Sequence, residues 1–175
     1  MGFHCKQRRR LQLKRNCPSK TVASPPVLSL KGRALRALAS REYTRVEIAA
    51  KLRSFEEEPG QLDKILDELQ AKDFINDQRA ADSLVHRRAG RLGASRVLHE
   101  LRAKGVDAAT VSQAATQLKA TELARAAEVW RKKFGDPAVD SDQRIKQMRF
   151  LAGRGFAPEV IRRVVSGSGE FDDLS

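Results

Sequence analysis

Val97-Leu98-His99-Glu100-Leu101-Arg102-Ala103-Lys104-Gly105-Val106-Asp107-Ala108-Ala109-Thr110-Val111 is the stretch that decides the architecture. Val97, Leu98 and Leu101 recur at helical spacing, and Gly105 stops that helix. Asp107 is a capping residue for the next helix, striped by Val111, Ala114, Ala115 and Leu118. Fifty residues on, Leu151-x3-Gly155-Phe156-x4-Ile161 repeats the same Leu-x3-Gly-apolar-x4-apolar frame. Leu52 stands 49 residues before Leu101, and Ile48 matches Val97. There Glu56-Glu57-Glu58-Pro59-Gly60 replaces the glycine turn. A frame repeated at this period implies stacked supersecondary units.

Outward from these anchors the helical period continues almost unbroken from Lys31. Leu35, Leu38 and Ala39 mark a first helix, and Ile48, Leu52 and Phe55 a second, opened by the Thr44–Glu47 capping-box pattern. Leu62, Ile65, Leu66 and Leu69 stripe a third helix, and Ala81, Leu84 and Val85 a fourth. Leu123, Ala127, Trp130 and Phe134 mark a seventh; Ile145, Met148 and Leu151 an eighth; Ile161, Val164 and Val165 a ninth. No segment alternates as a strand does. The expected fold is all-α: an elongated, curved row of three tandem three-helix repeats over residues 31–76, 77–120 and 121–169. Residues 1–30, ending in Ser24-Pro25-Pro26, read as a disordered basic arm, and residues 170–175 as an acidic tail.

Charge is unevenly spread along the 175 residues, whose formal net is +12. Residues 1–30 hold seven basic residues and no acid; residues 79–104 hold seven basic residues against Asp82 and Glu100. The remaining segments are nearly balanced. Two concentrated basic zones favour polyanionic partners through counterion release, although a solvated helix face has the same composition. Within the folded region two clusters stand out: Arg87, Arg88, Arg91, Arg96, Arg102 and Lys104, then Lys146, Arg149 and Arg154. Guanidinium groups suit phosphates and carboxylates through paired hydrogen bonds. Phe150, Phe156, Trp130 and Phe134 read as core residues.

An enzyme is not the expectation. The histidines are His4, His86 and His99, with no metal-binding pair at helical spacing. His4, Cys5 and Cys17 lie on the arm and are not read as a metal site. No glycine-rich loop ends in Gly-Lys-Ser/Thr, and Gly153-Arg154-Gly155 and Gly167-Ser168-Gly169 read as helix stops. Glu56-Glu57-Glu58 reads as a solvated turn. No cofactor or metal is expected. Two cysteines and no long apolar run point to a cytoplasmic protein without membrane contact, and a monomer is the expectation. Val97 to Ala115 also has the outline of a DNA-reading helix-turn-helix, but its second helix offers no Arg or Lys before Lys119.

The chain resembles the RecX family, regulators of the RecA recombinase. Three stretches carry the likeness. They are Arg87-x5-Gly93-x2-Arg96-Val97-x2-Glu100-Leu101-x2-Lys104-Gly105-Val106, Lys132-Lys133-Phe134-Gly135-Asp136-Pro137, and Lys146-Gln147-Met148-Arg149-Phe150-Leu151-x2-Arg154-Gly155-Phe156. Thr44, Glu47, Ile48 and Leu52 fit the family's early pattern. The likeness spans residues 31–167. The family commonly carries Asp-Asp-x-Arg-Phe-Ala where this chain has Asn76-Asp77-Gln78-Arg79-Ala80-Ala81, a loss expected to thin the packing between the first two units. The resemblance implies a protein lodged in the groove of the RecA–single-stranded DNA filament, meeting protein and weakly, non-specifically, DNA. It would limit filament growth, ATP hydrolysis and strand exchange in DNA repair, by end capping or by interior destabilisation. The rival reading is a helix-turn-helix transcription factor built on the middle unit.

Overall fold

A computed structural model describes residues 28–167. Those residues form nine α-helices and one short 3-10 turn. The first unit holds α1 (Leu30–Leu38), α2 (Arg45–Leu52) with the turn Arg53–Phe55, and α3 (Gln61–Ala71). The second holds α4 (Asp77–Ala89), α5 (Ala94–Ala103) and α6 (Ala108–Ala120); the third holds α7 (Glu122–Lys133), α8 (Ser141–Ala152) and α9 (Pro158–Val165). Among the described residues there is no strand, and no helix is long and apolar enough to cross a membrane. The expected arm lies outside the described residues up to residue 27, with His4, Cys5 and Cys17. The acidic tail also lies outside them.

Side-chain caps set most helix starts. Ser29, Asn76, Asp107 and Asp140 each accept the backbone N–H three residues ahead, from Gly32, Arg79, Thr110 and Gln143. Thr44 and Glu47 close the anticipated capping box. Pro158 opens α9, where its missing N–H costs nothing. Because Ser29 caps α1 and Leu30 is buried, helical structure begins inside the stretch read as arm.

Each unit closes around its own apolar cluster. Ile48, Leu52, Leu66 and Leu69 lead the first, Leu84, Leu101 and Val111 the second, and Leu151, Phe156 and Ile161 the third. Three stripes differ from the sequence reading. In α1 the buried face is Leu30, Ala34 and Ala37, while Leu35 is 36% exposed. Small alanines let α1 approach α2 closely, and the bulkier Leu35 points outward. Phe55 lies outside α2, exposed on the 3-10 turn. Ile145 is also exposed, and α8 buries Gln147 together with the expected Leu151. Gln147 earns its burial by hydrogen bonds, accepting from Trp130 Nε1 at 2.8 Å and donating to Asp136 O at 3.2 Å. Lys31 on α1 and Lys72 both donate to Glu68 on α3, at 2.6 and 2.7 Å, and hold its carboxyl down at about 2.

Candidate functional site

The units meet twice, each time in the same way. The start of the second helix of one unit abuts the turn between the second and third helices of the next. At the first joint Thr44 Oγ1 donates to Lys104 O at 2.7 Å, and Val46 covers the turn glycine. Gly105 has φ +75°, and a Cβ there would stand 2.4 Å from Val46 Cγ2. At the second joint the Gly93 N–H donates to Arg154 O at 2.9 Å. A Cβ on Gly93 would stand 2.1 Å from Gly155 O, so two backbones touch where any side chain would part them. Gly155 itself has φ +82° and faces the Arg96 backbone.

Charged side chains complete each joint. At the first, Lys104 Nζ and Arg41 Nη2 both donate to Glu47, and Arg79 bridges Glu42 at 3.2 Å and Asp73 at 2.6 Å. Burial pushes the Glu47 carboxyl up, but hydrogen bonds from Arg41, Lys104 and the Thr44 backbone outweigh it and leave it below the usual carboxylate range. Ala80, at the position where the family commonly has Phe, is buried, as is Ala81 beside it. At the second joint the buried Glu122 accepts the Ala94 N–H at 3.0 Å. Arg125 Nη1 donates to Ala89 O and Leu92 O, and Nη2 to Leu118 O, each at 2.8 Å. Its burial pushes the guanidinium pKa down, with Glu122 opposing the shift.

The second joint also assembles a groove. Arg88 from α4, Arg91 from the α4–α5 loop, Arg96 from α5 and Arg154 from the α8–α9 turn line one open depression of about 670 Å³. His99 and Glu100 line it too. Arg154 stacks its guanidinium 3.6 Å above the Phe150 ring, which meets Phe134 edge-on at 5.1 Å. Arg96 Nη1 donates to Gly153 O at 2.8 Å. Arg88 is held by both carboxylate oxygens of Glu100, at 3.2 and 3.3 Å. Arg91 is exposed and has no carboxylate partner among the described residues. Four guanidiniums thus share one carboxylate, a surplus that suits phosphates or carboxylates of a partner.

The other residues singled out by sequence lie elsewhere. Arg87 is exposed on α4, and its Nη1 donates to Ser83 Oγ at 2.8 Å. Arg102 lines a separate cleft with Val106 and Val111 of the α5–α6 region. Lys104 is taken up by Glu47 in the first joint. Lys146 and Arg149 are exposed on α8. His99 and Glu100 in the groove, and Glu122 and Arg125 beneath it, carry no binding signal in the sequence patterns described above. The signal available outside those patterns is Glu100, one turn after Arg96. The helix-turn-helix outline fares poorly: Thr44 and Val46 occupy its turn, so α5 and α6 are not free-standing.

Comparison with known proteins relates the chain to a family. A family model described as the RecX second three-helix domain matches residues 76–114, and one for the RecX third three-helix domain matches residues 120–165. The chain is 46% identical over 144 residues to the regulatory protein RecX of Leptothrix cholodnii, covering 82% of this chain and 92% of that one. It is 41% identical to the regulatory protein RecX of Ralstonia pickettii, covering 82% and 90%. The crystal structure of RecX from Lactobacillus salivarius superposes with a TM-score of 0.63 at 22% identity, covering 79% of this chain and 93% of that one, and so shares the fold.

Proposed function

Because the chain belongs to the RecX family of regulatory proteins, we propose that it acts on a RecA recombinase filament on single-stranded DNA, limiting filament growth, ATP hydrolysis and strand exchange. It does so by binding, without catalysis or a cofactor of its own. The observation that carries this reading is the convergence of Arg88, Arg91, Arg96 and Arg154 on the groove of the second joint. Guanidiniums arriving from two helices, a loop and a turn cannot serve as the solvated face of one helix. Their surplus charge favours the phosphates of a bound strand, and the Arg154 plane stacked on Phe150 leaves a flat cation beside them. Of the nine basic residues named from sequence, these four form the contact. Arg87, Arg102 and Lys146 add to the surrounding field, Arg149 belongs to a different cleft, and Lys104 holds the fold.

The test is single-stranded-DNA-dependent ATP hydrolysis by the cognate recombinase, with and without this protein. Turnover should fall at less than one copy per recombinase protomer, and unchanged turnover at saturating protein would refute the reading. Replacing Arg88 and Arg91 with Glu should weaken filament binding about tenfold or more, since each cation becomes an anion facing phosphate. Reversing Arg36, Arg53 and Lys64, exposed in the first unit, is the control for bulk charge. Equal losses in both variants would exclude the groove as the contact.

A further inference from the structure

A second cleft, between α8 and α9, differs in kind from the joint groove. Its floor is carbon: Ala152 on α8, Phe156 in the turn, Pro158 and Ile161 on α9. Its volume is about 310 Å³, enough to bury one large apolar side chain. Arg149 on α8 and Arg162 on α9 stand over this floor from the two helices, both exposed. Neither guanidinium has a carboxylate partner among the described residues. Ala152 is exposed and small, and its size leaves the floor open.

We propose that this cleft seats an acidic protein segment carrying one large apolar side chain flanked by carboxylates. Resting on the regulatory reading above, the segment belongs to the recombinase, so that α8 and α9 meet protein while the joint groove meets DNA. Charge and shape select that occupant together. Two guanidiniums on separate helices can each take a carboxylate in paired hydrogen bonds, while the carbon floor between them rewards an apolar anchor. A nucleic acid fits worse. Phe156 is only 4% exposed and presents no ring face for a base, and an apolar floor has nothing to offer a phosphate.

The probe is a short fluorescein-labelled peptide of aspartates around one phenylalanine, titrated against the whole chain by anisotropy. Saturable binding is expected, weakened about tenfold or more by Ala152→Trp, which fills the floor, and likewise by Arg149→Glu with Arg162→Glu. Exchanging the peptide's phenylalanine for alanine should cost as much. All three variant positions are exposed, and a preserved cooperative melt confirms folding. In filament binding, Ala152→Trp should reduce affinity while leaving affinity for a bare oligonucleotide unchanged. No binding of the peptide, or binding indifferent to both variants, overturns the assignment, as does an equal loss of filament and oligonucleotide affinity. Peptide affinity that rises about tenfold on removing residues 168–175 would also overturn it, because Glu170-Phe171-Asp172-Asp173 of the chain itself would then be the occupant. Unaltered recombinase turnover with intact, variant-sensitive peptide binding would refute the regulatory reading and leave the cleft's acidic-peptide chemistry standing.

Discussion

The two joints share a geometry and differ in what holds them. At the first, a side chain makes the crossing bond, Thr44 Oγ1 to Lys104 O, and Glu47 clamps Lys104 and Arg41 around it. At the second, backbone meets backbone, Gly93 N–H to Arg154 O, with room for no Cβ between them. Thr44 and Gly93 occupy matching places, each capping the second helix of its unit. One docking mode is therefore centred once on a side-chain bond beside an ion pair, and once on touching backbones, with Glu122 and Arg125 bonded around them. The lesson is that repeat symmetry conserves the position of a contact without conserving its physics.

Substitutions at the two joints test this contrast. The largest effect belongs to Gly93→Ala. Its φ of −72° suits any residue, so the penalty is purely steric, from a methyl 2.1 Å from Gly155 O. Denaturant unfolding should show a loss of about 3 kcal/mol, at the upper end for overpacking. An unchanged midpoint would mean that the second joint is open in solution.

Gly105→Ala should cost less, about 2 kcal/mol, combining left-handed strain at φ +75° with pressure on Val46. A side chain can yield where a backbone cannot. Val46→Ala should therefore recover roughly half of the loss in a double-mutant cycle, leaving the backbone strain. No recovery would show that Val46 is not what the methyl meets.

Glu47→Gln tests the electrostatic half of the comparison, with an expected loss of roughly 1 kcal/mol near neutral pH. Folding lowers the Glu47 carboxyl pKa, so its contribution is present above the unfolded carboxylate value and is lost as pH falls through the folded one. The wild-type curve of stability against pH should decline below about pH 4.3, and the variant's curve should be flatter there. Identical acid limbs would remove Glu47 from the account. The smallest effect is Arg88→Ala. This exposed partner of Glu100 should change stability by under about 0.5 kcal/mol while weakening filament binding measurably.

The architecture was legible because its signal is local and repeated. Leu101 with Gly105, and Leu151 with Gly155, announce helix, turn and helix within ten residues. The apolar faces were less so: a stripe read by residue size favoured Leu35 and Ile145, whereas packing chose Ala34, Ala37 and Gln147. The joints were illegible for a different reason. Gly105 and Gly155 betray themselves as helix stops, but Gly93 has an ordinary φ, and its neighbour Gly155 lies 62 residues away. The groove suffers the same difficulty. Arg88, Arg91 and Arg96 look like one cluster with Arg102 and Lys104, yet only the joint adds Arg154 and only Glu47 removes Lys104.

The two ends of the row carry the same edges, with no neighbour to receive them among the described residues. The second helix of the last unit starts at Asp140-Ser141-Asp142, where Thr44 and Gly93 stand in the earlier units. The matching turn of the first unit is Glu56-Glu57-Glu58-Pro59-Gly60, whose glycine has open space in place of a close neighbour. If a second molecule tried to extend the row head to tail, two aspartates would be pressed against three glutamates. Like charges so opposed cost several kcal/mol, and the turn lacks the glycine seat that the inner joints use. The edge that links units within one chain thus bears like charge at both free ends of the described row. Charge at these two edges would oppose head-to-tail growth, the route by which repeats become fibres.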